Sequence, residues 1–335
     1  MFGKRYVRHL VSRSAENPTD RRRFLRTAGA AGLGLVGAGV TGATLMTESA
    51  GNSTPEVALE NTSNSKDKDK NQYGYNKDDA AASDAAVLNF ALNLEFLEAN
   101  LYSFAINGYG VPGYLTDGVG KKGGVSGGHA VKFESDAVKQ IVKEIADDEL
   151  AHVKFLRGAL GKAAVAQPKI DFKDSFTAAA QAAGLIQKGQ TFDPFASEPN
   201  LLVAAYLFED VGVSAYKGAA PLVNNKTFLD AAAGILAVEA YHAGIIRTKL
   251  FDRGLGDVTN KISDARNALA GNKHDDQGVL LDGKANLVLA DGNGIAFGRG
   301  ADRVLNIAYL NPKKVKSGGF YPDGVNGDIN TSGGY

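Results

Sequence analysis

Residues 145–156 read IADDELAHVKFL, and residues 235–246 read ILAVEAYHAGII. Each stretch sets a glutamate within an apolar helical stripe and a histidine three residues later: Glu149 with His152, and Glu239 with His242. At i and i+3 the two side chains lie together on one helical face, so one cation can take both. The first stretch belongs to a helix expected over about 135–160, started by Ser135 and stopped by Gly161, with Ile141, Val142, Ile145 and Leu156 on the ligand face. The second belongs to a helix expected over about 227–252, where Ala232, Ile235, Leu236 and Ile246 share the face of Glu239 and His242.

Two further helices show the same anomaly. Over about 80–107, Leu88, Ala91, Leu92, Glu95, Ala99 and Tyr102 fall on one face, and Gly108 supplies the stop. Over about 200–217, Leu202, Ala205, Tyr206, Glu209, Val213 and Tyr216 do the same. A lone buried carboxylate costs several kcal/mol or takes up a proton, and a whole fold is stable by only about 5–15 kcal/mol. Convergence on cations removes all four penalties together. One glutamate from each of two helices plus Glu-x-x-His from each of the other two is the donor set of a two-metal carboxylate bundle. The sequence therefore predicts an all-α four-helix bundle over 80–253, with one long crossover of about forty residues between its second and third helices. The predicted ligands are Glu95, Glu149, His152, Glu209, Glu239 and His242, holding two iron or two manganese ions; oxygen and imidazole donors admit either metal.

Neighbouring residues refine this set. Tyr102 follows Glu95, and Tyr216 follows Glu209, by seven residues, which is two helical turns. Each phenol is expected to hydrogen-bond a ligand carboxylate, with plain core packing left open. Glu98, one turn from Glu95, is an alternate ligand on the same face. Asp148 is expected to accept a ring N–H from a ligand histidine of a facing helix, His242, unless it is a solvated acid. Gly212 stands where the repeat has Glu98; its missing side chain leaves room beside the metals for a small molecule, or serves close helix packing. His129 and His274 sit in polar loops and read as solvated, and His9 precedes the export segment.

The chain has 335 residues, 44% hydrophobic and 22% charged, with 37 basic and 37 acidic side chains. That balance offers no basic face for nucleic acid. No cysteine is present, which excludes disulfides and thiolate metal sites. Residues 20–26 read DRRRFLR ahead of an uncharged small-residue run from Thr27 to about Leu45. That layout resembles a twin-arginine export signal over 1–50, with Asp20 where serine or threonine is usual and cleavage after Ala43 or Ala50. The run is too glycine-rich for a convincing span, so no stable membrane span is expected after cleavage, an uncleaved anchor being the other reading. The expected location is periplasmic, cell-envelope or extracellular. Residues 51–79, with SKDKDKNQ, read as a disordered linker. Residues 254–335 read as a Gly-rich irregular extension, poor in helix signals, whose short apolar pieces pack over the bundle.

LNFALNLEFLEANLY (88–102), EAYHAGIIR (239–247), GIAFGRGADRVLNIAY (294–309) and GGFYPDGVNG (318–327) resemble the desiccation-related proteins of plants and bacteria, within the ferritin-like superfamily. The resemblance covers about 80–327 and implies a ferritin-like bundle, a C-terminal extension and an association with drying or oxidative stress. The expected chemistry is that of a di-iron oxidase or peroxidase, or a manganese catalase-like oxidoreductase, acting on O2 or peroxide. Two other readings stay open. One is a stress-protective or envelope structural protein with a stabilising metal site; the other is an iron store.

Overall fold

A side-chain cap starts each of the four long helices. The computed structural model describes residues 83–271 and 275–335; the expected export segment, the linker, residues 80–82 and His274 lie outside them. Ser83 caps α1 (Asp84–Asn107) and Ser135 caps α2 (Asp136–Leu160). A crossover with the short helix α3 (Asp174–Ala182) follows. Ser197 then caps α4 (Glu198–Ala219) and Asn225 caps α5 (Lys226–Asp252). In each case the capping oxygen accepts a first-turn N–H that has no helical partner. Helix α4 starts two residues before its expected position because Pro199 sits in its first turn, where a missing N–H costs nothing. Gly108 ends α1 in the left-handed conformation, at φ 75°.

Helices α1 and α4 are buried on nearly every side, whereas α2 and α5 bury a single stripe. The main pairings are α1 with α2 and α4 with α5. This is the expected all-α bundle with one long crossover. A two-residue parallel pair, β1 (Val125–Ser126) with β2 (Ile170–Asp171), ties the α1–α2 loop to the crossover. By length and composition α5 could cross a membrane; its buried stripe of Glu239, His242 and Arg247 faces the bundle.

The extension differs from the expected irregular stretch. It contains α6 (Gly256–Leu269), a small hairpin of β3 (Leu280–Leu281) and β4 (Lys284–Ala285), and α7 (Ala301–Ala308). Neither added helix has a side-chain cap, and α7 has only eight residues. Their start signals are therefore missing from the sequence, and tertiary packing on α4 supplies the stability. Ile262, Val304, Leu305 and Ile307 join the bundle core.

Charge also joins extension to bundle. Asp210 of α4 pairs with Arg247 of α5 at 2.8 Å and with Arg266 of α6 at 3.0 Å. Arg266 reaches Asp276 at 2.6 Å, and Asp276 reaches Arg299 at 2.5 Å. Arg303 pairs with Asp275 at 2.6 Å. All four guanidinium groups are buried. Breaking such a pair from one side strands the other charge in a dry interior.

Candidate metal centre

The four inner-face glutamates and two histidines meet at mid-bundle, as the helical spacing requires. Ligand-capable atoms of Glu95, Glu149, His152 and Glu239 lie within 4.8 Å of one another, and so do those of Glu149, Glu209 and His242. A third group joins Glu98, Glu209 and Glu239. His152 Nδ1 faces Glu95 Oε2 at 3.2 Å, Glu239 Oε1 at 3.5 Å and Glu149 Oε2 at 3.7 Å. His242 Nδ1 faces Glu149 Oε1 at 3.0 Å and Glu209 Oε2 at 3.8 Å. Glu149 thus lies between two imidazoles whose centroids are 6.3 Å apart.

Among the described residues, both oxygens of Glu149, both of Glu239, Glu209 Oε2, Glu98 Oε1 and His242 Nδ1 are buried with no hydrogen-bond partner. Buried polar atoms are rarely left so. Here the contact from His242 to Glu149 is close but misaligned, so lone pairs converge on shared space rather than on one another. Hard carboxylate oxygens plus imidazole nitrogens around that space fit a pair of first-row divalent cations.

Electrostatics say the same. Burial, reinforced by the charge of Glu149, pushes Glu95 and Glu239 up to about 8. Burial likewise lifts Glu209 to about 8, against the pull of His242. Burial and then Glu239 raise Glu98 well above the carboxylate range. Burial works against ionisation of Glu149, but the charges of the nearby His152 and His242 imidazoles outweigh it and hold this carboxyl at about 2. Without cations the cluster keeps protons it would otherwise release.

The surrounding contacts are specific. Tyr102 donates to Glu209 and Tyr216 to Glu95. Each phenol serves the glutamate of the other half, so α1 and α4 brace each other reciprocally. Asp148 Oδ2 accepts from His242 Nε2 at 3.3 Å, which holds the ring with Nδ1 turned inward. Glu98 is drawn into the cluster rather than left at its margin. Gly212 differs from its expected use as open room. A Cβ there would lie 2.3 Å from Glu239 Oε2 and 3.3 Å from Glu98 Oε1, so those two carboxylates occupy the space. His129 is half exposed and pairs with Asp193 at 2.9 Å, instead of being merely solvated.

Sequence reasoning missed Tyr321. It is buried, donates to the Asn93 carbonyl at 2.8 Å, and feels the charge of Glu98 closely enough that its hydroxyl is raised, after burial itself. Only its place in GGFYPDGVNG marked it, and no periodic pattern surrounds it.

Comparisons with known proteins agree with this geometry. The family described as ferritin-like domain matches residues 83–252. Desiccation-related protein PCC13-62 of Craterostigma plantagineum is 30% identical over 273 residues, covering 76% of this chain and 86% of that protein. The ferritin-like catalase Nec2 of Nesocodon mauritianus is 27% identical over 269 residues, covering 73% and 84%. No solved structure matches the chain. A capped four-helix bundle with a carboxylate-histidine cluster at its middle and a matched family domain over its four long helices places this chain in the ferritin-like superfamily, near the desiccation-related proteins.

Proposed function

We propose that the chain is an exported oxidoreductase that consumes peroxide or O2 during drying or oxidative stress. Two iron or two manganese ions are held by Glu95, Glu149, His152, Glu209, Glu239 and His242. Glu149 carries this reading: it belongs to both histidine-containing groups, and neither of its oxygens has a hydrogen-bond partner among the described residues. A carboxylate so placed would serve both ions. Glu209 and Glu239, each common to two groups, and Glu95, in one, would hold the pair with it. Four ionised carboxylates balance two divalent cations and leave both imidazoles neutral, the form that ligates.

Bound there, such a pair supplies redox capacity that this cysteine-free chain otherwise lacks. The chain's own groups hold the arrangement. Tyr216 and Tyr102 fix the Glu95 and Glu209 carboxylates, Asp148 fixes the proton of His242 on Nε2, and the buried walls of α1 and α4 keep bulk water out. The name of the relative Nec2 supports peroxide chemistry, and that of PCC13-62 supports the stress setting. DRRRFLR supports export by a twin-arginine-type route to the periplasm, envelope or exterior.

Metal analysis of protein from its native exporting host comes first, followed by peroxide and O2 loss. Wild type should contain two Fe or Mn per chain and outpace the same concentration of free metal; Glu149→Ala should lose both metals and the activity. Equal rates for the two proteins would remove the enzyme and leave a stabilising metal site.

A further inference from the structure

A cavity of about 20 Å³ lies where α1, α4 and α7 meet. That volume holds one molecule the size of water. Leu94 and Leu97 form one wall, Phe208 and Val211 a second, and Val304 with Ala308 of the extension a third. Its inner end is Glu98 beside Gly212, the point where Glu98, Glu209 and Glu239 converge. Glu98 Oε1 is buried there without a hydrogen-bond partner. The remaining walls are apolar, so an ion passing through would lose its hydration with nothing in return.

We infer that this cavity is the way by which a small neutral oxidant reaches the cluster, and that α7 of the extension is the wall that sets its width. The inference rests on the proposed di-metal function. Glu95, Glu149, Glu209 and Glu239 are sealed from solvent to within about 1%, so a reactant needs a defined passage. The competing passage is the polar edge at His152 and half-exposed Asp148, suited to metal ions. Gly212 at the inner end leaves the Glu239 and Glu98 carboxylates their room. A side chain placed there would displace Glu239 itself, so the test belongs on α7.

Ala308→Leu should narrow the passage and Val304→Ala should widen it. Metal-free crystals pressurised with xenon should show xenon between α1, α4 and α7 in Val304→Ala, and none in Ala308→Leu. In Fe(II)-loaded protein, nitric oxide association followed by stopped-flow absorbance should slow about tenfold in Ala308→Leu, a rise of about 1.4 kcal/mol in the barrier. It should quicken in Val304→Ala, with metal content equal in all three. Equal association rates at equal metal content would overturn the route and put the passage at the His152 edge. Absence of xenon from Val304→Ala would overturn it as well. If none of the three proteins binds metal, the di-metal function fails instead, and xenon alone decides the passage.

Discussion

Aligning the α1–α2 half with the α4–α5 half pairs Glu95 with Glu209, Tyr102 with Tyr216, Glu149 with Glu239 and His152 with His242. The two halves then diverge at neighbouring positions. Phe96 corresponds to Asp210, Glu98 to Gly212, Asp148 to Val238, and half-buried Arg157 to fully buried Arg247. Arg157 makes one long contact, 3.5 Å to the Val165 carbonyl. Arg247 has Asp210 at 2.8 Å and the Gln277 and Gly278 carbonyls at 3.0 and 2.8 Å. Identical candidate ligands thus sit in different jackets. One half keeps its outer positions for solvent and a histidine-orienting acid; the other gives them up to anchor the extension. Ligand geometry constrains only one face of each helix, so the opposite faces are free to specialise.

The anchoring is where the halves should differ most. Asp276→Ala removes the carboxylate that Arg266 and Arg299 share in the interior and should cost about 3–5 kcal/mol in urea unfolding. Arg157→Ala, in the other half, should cost about 1 kcal/mol. Matching costs would break the distinction.

Metal should act on both halves alike. Fe(II) or Mn(II) at a hundredfold excess over Kd should stabilise the protein by about 2.7 kcal/mol, seen as a raised calorimetric melting temperature. Chelator and metal giving the same temperature would sink the two-metal site. The pH slope sharpens this. Glu95, Glu209 and Glu239 titrate near 8 when folded, above their ordinary 4.5, so their contribution is complete below about 4.5 and is lost as pH rises through 8. His242, raised to about 10, is lost in the same direction from 6.5 upward. Metal-free protein should therefore weaken between about pH 4.5 and 10. The gain on adding metal should grow with pH over the lower part of that range, because metal displaces protons.

The smallest effect tests the symmetry itself. Tyr102→Phe and Tyr216→Phe should each cost the metal-free protein about 1–2 kcal/mol. The two losses should agree to within about 0.5 kcal/mol if the braces are equivalent. A clear inequality in melts would show that one half dominates the site.

The bundle and cluster were legible because their signals are local and repeated. Each long helix carries its own cap, and a glutamate at helical spacing on an apolar face is costly unless a cation or a proton meets it. The tyrosine contacts were legible as to class, but their exchange between halves depends on how α1 and α4 face each other, which no single-helix pattern encodes. Gly212 could be read as space; that Glu239 and Glu98 fill this space needed three dimensions. Helices α6 and α7 were not legible because Leu255 and Gly300 stand where capping side chains would. Arg266 and Arg303 look like ordinary surface charge until Asp275 and Asp276 are brought onto them from a loop.

The ion-pair chain also has a consequence for how the protein is made. Arg247 leaves the ribosome with α5, but its carbonyl acceptors at 277, 278 and 286 are still to be translated. Arg266 waits in turn for Asp276, and Asp276 for Arg299. A nascent chain ending before residue 275 therefore has two arginines destined for the interior and, of the carboxylates that pair with them, only Asp210. The α4–α5 half, with Glu209 and Glu239, gains its full set of ion pairs only after residues 275–299 arrive. Closure of the carboxylate-histidine cluster is in this way deferred until that segment is made, and a chain cut before residue 275 yields an unclosed bundle rather than a smaller working one.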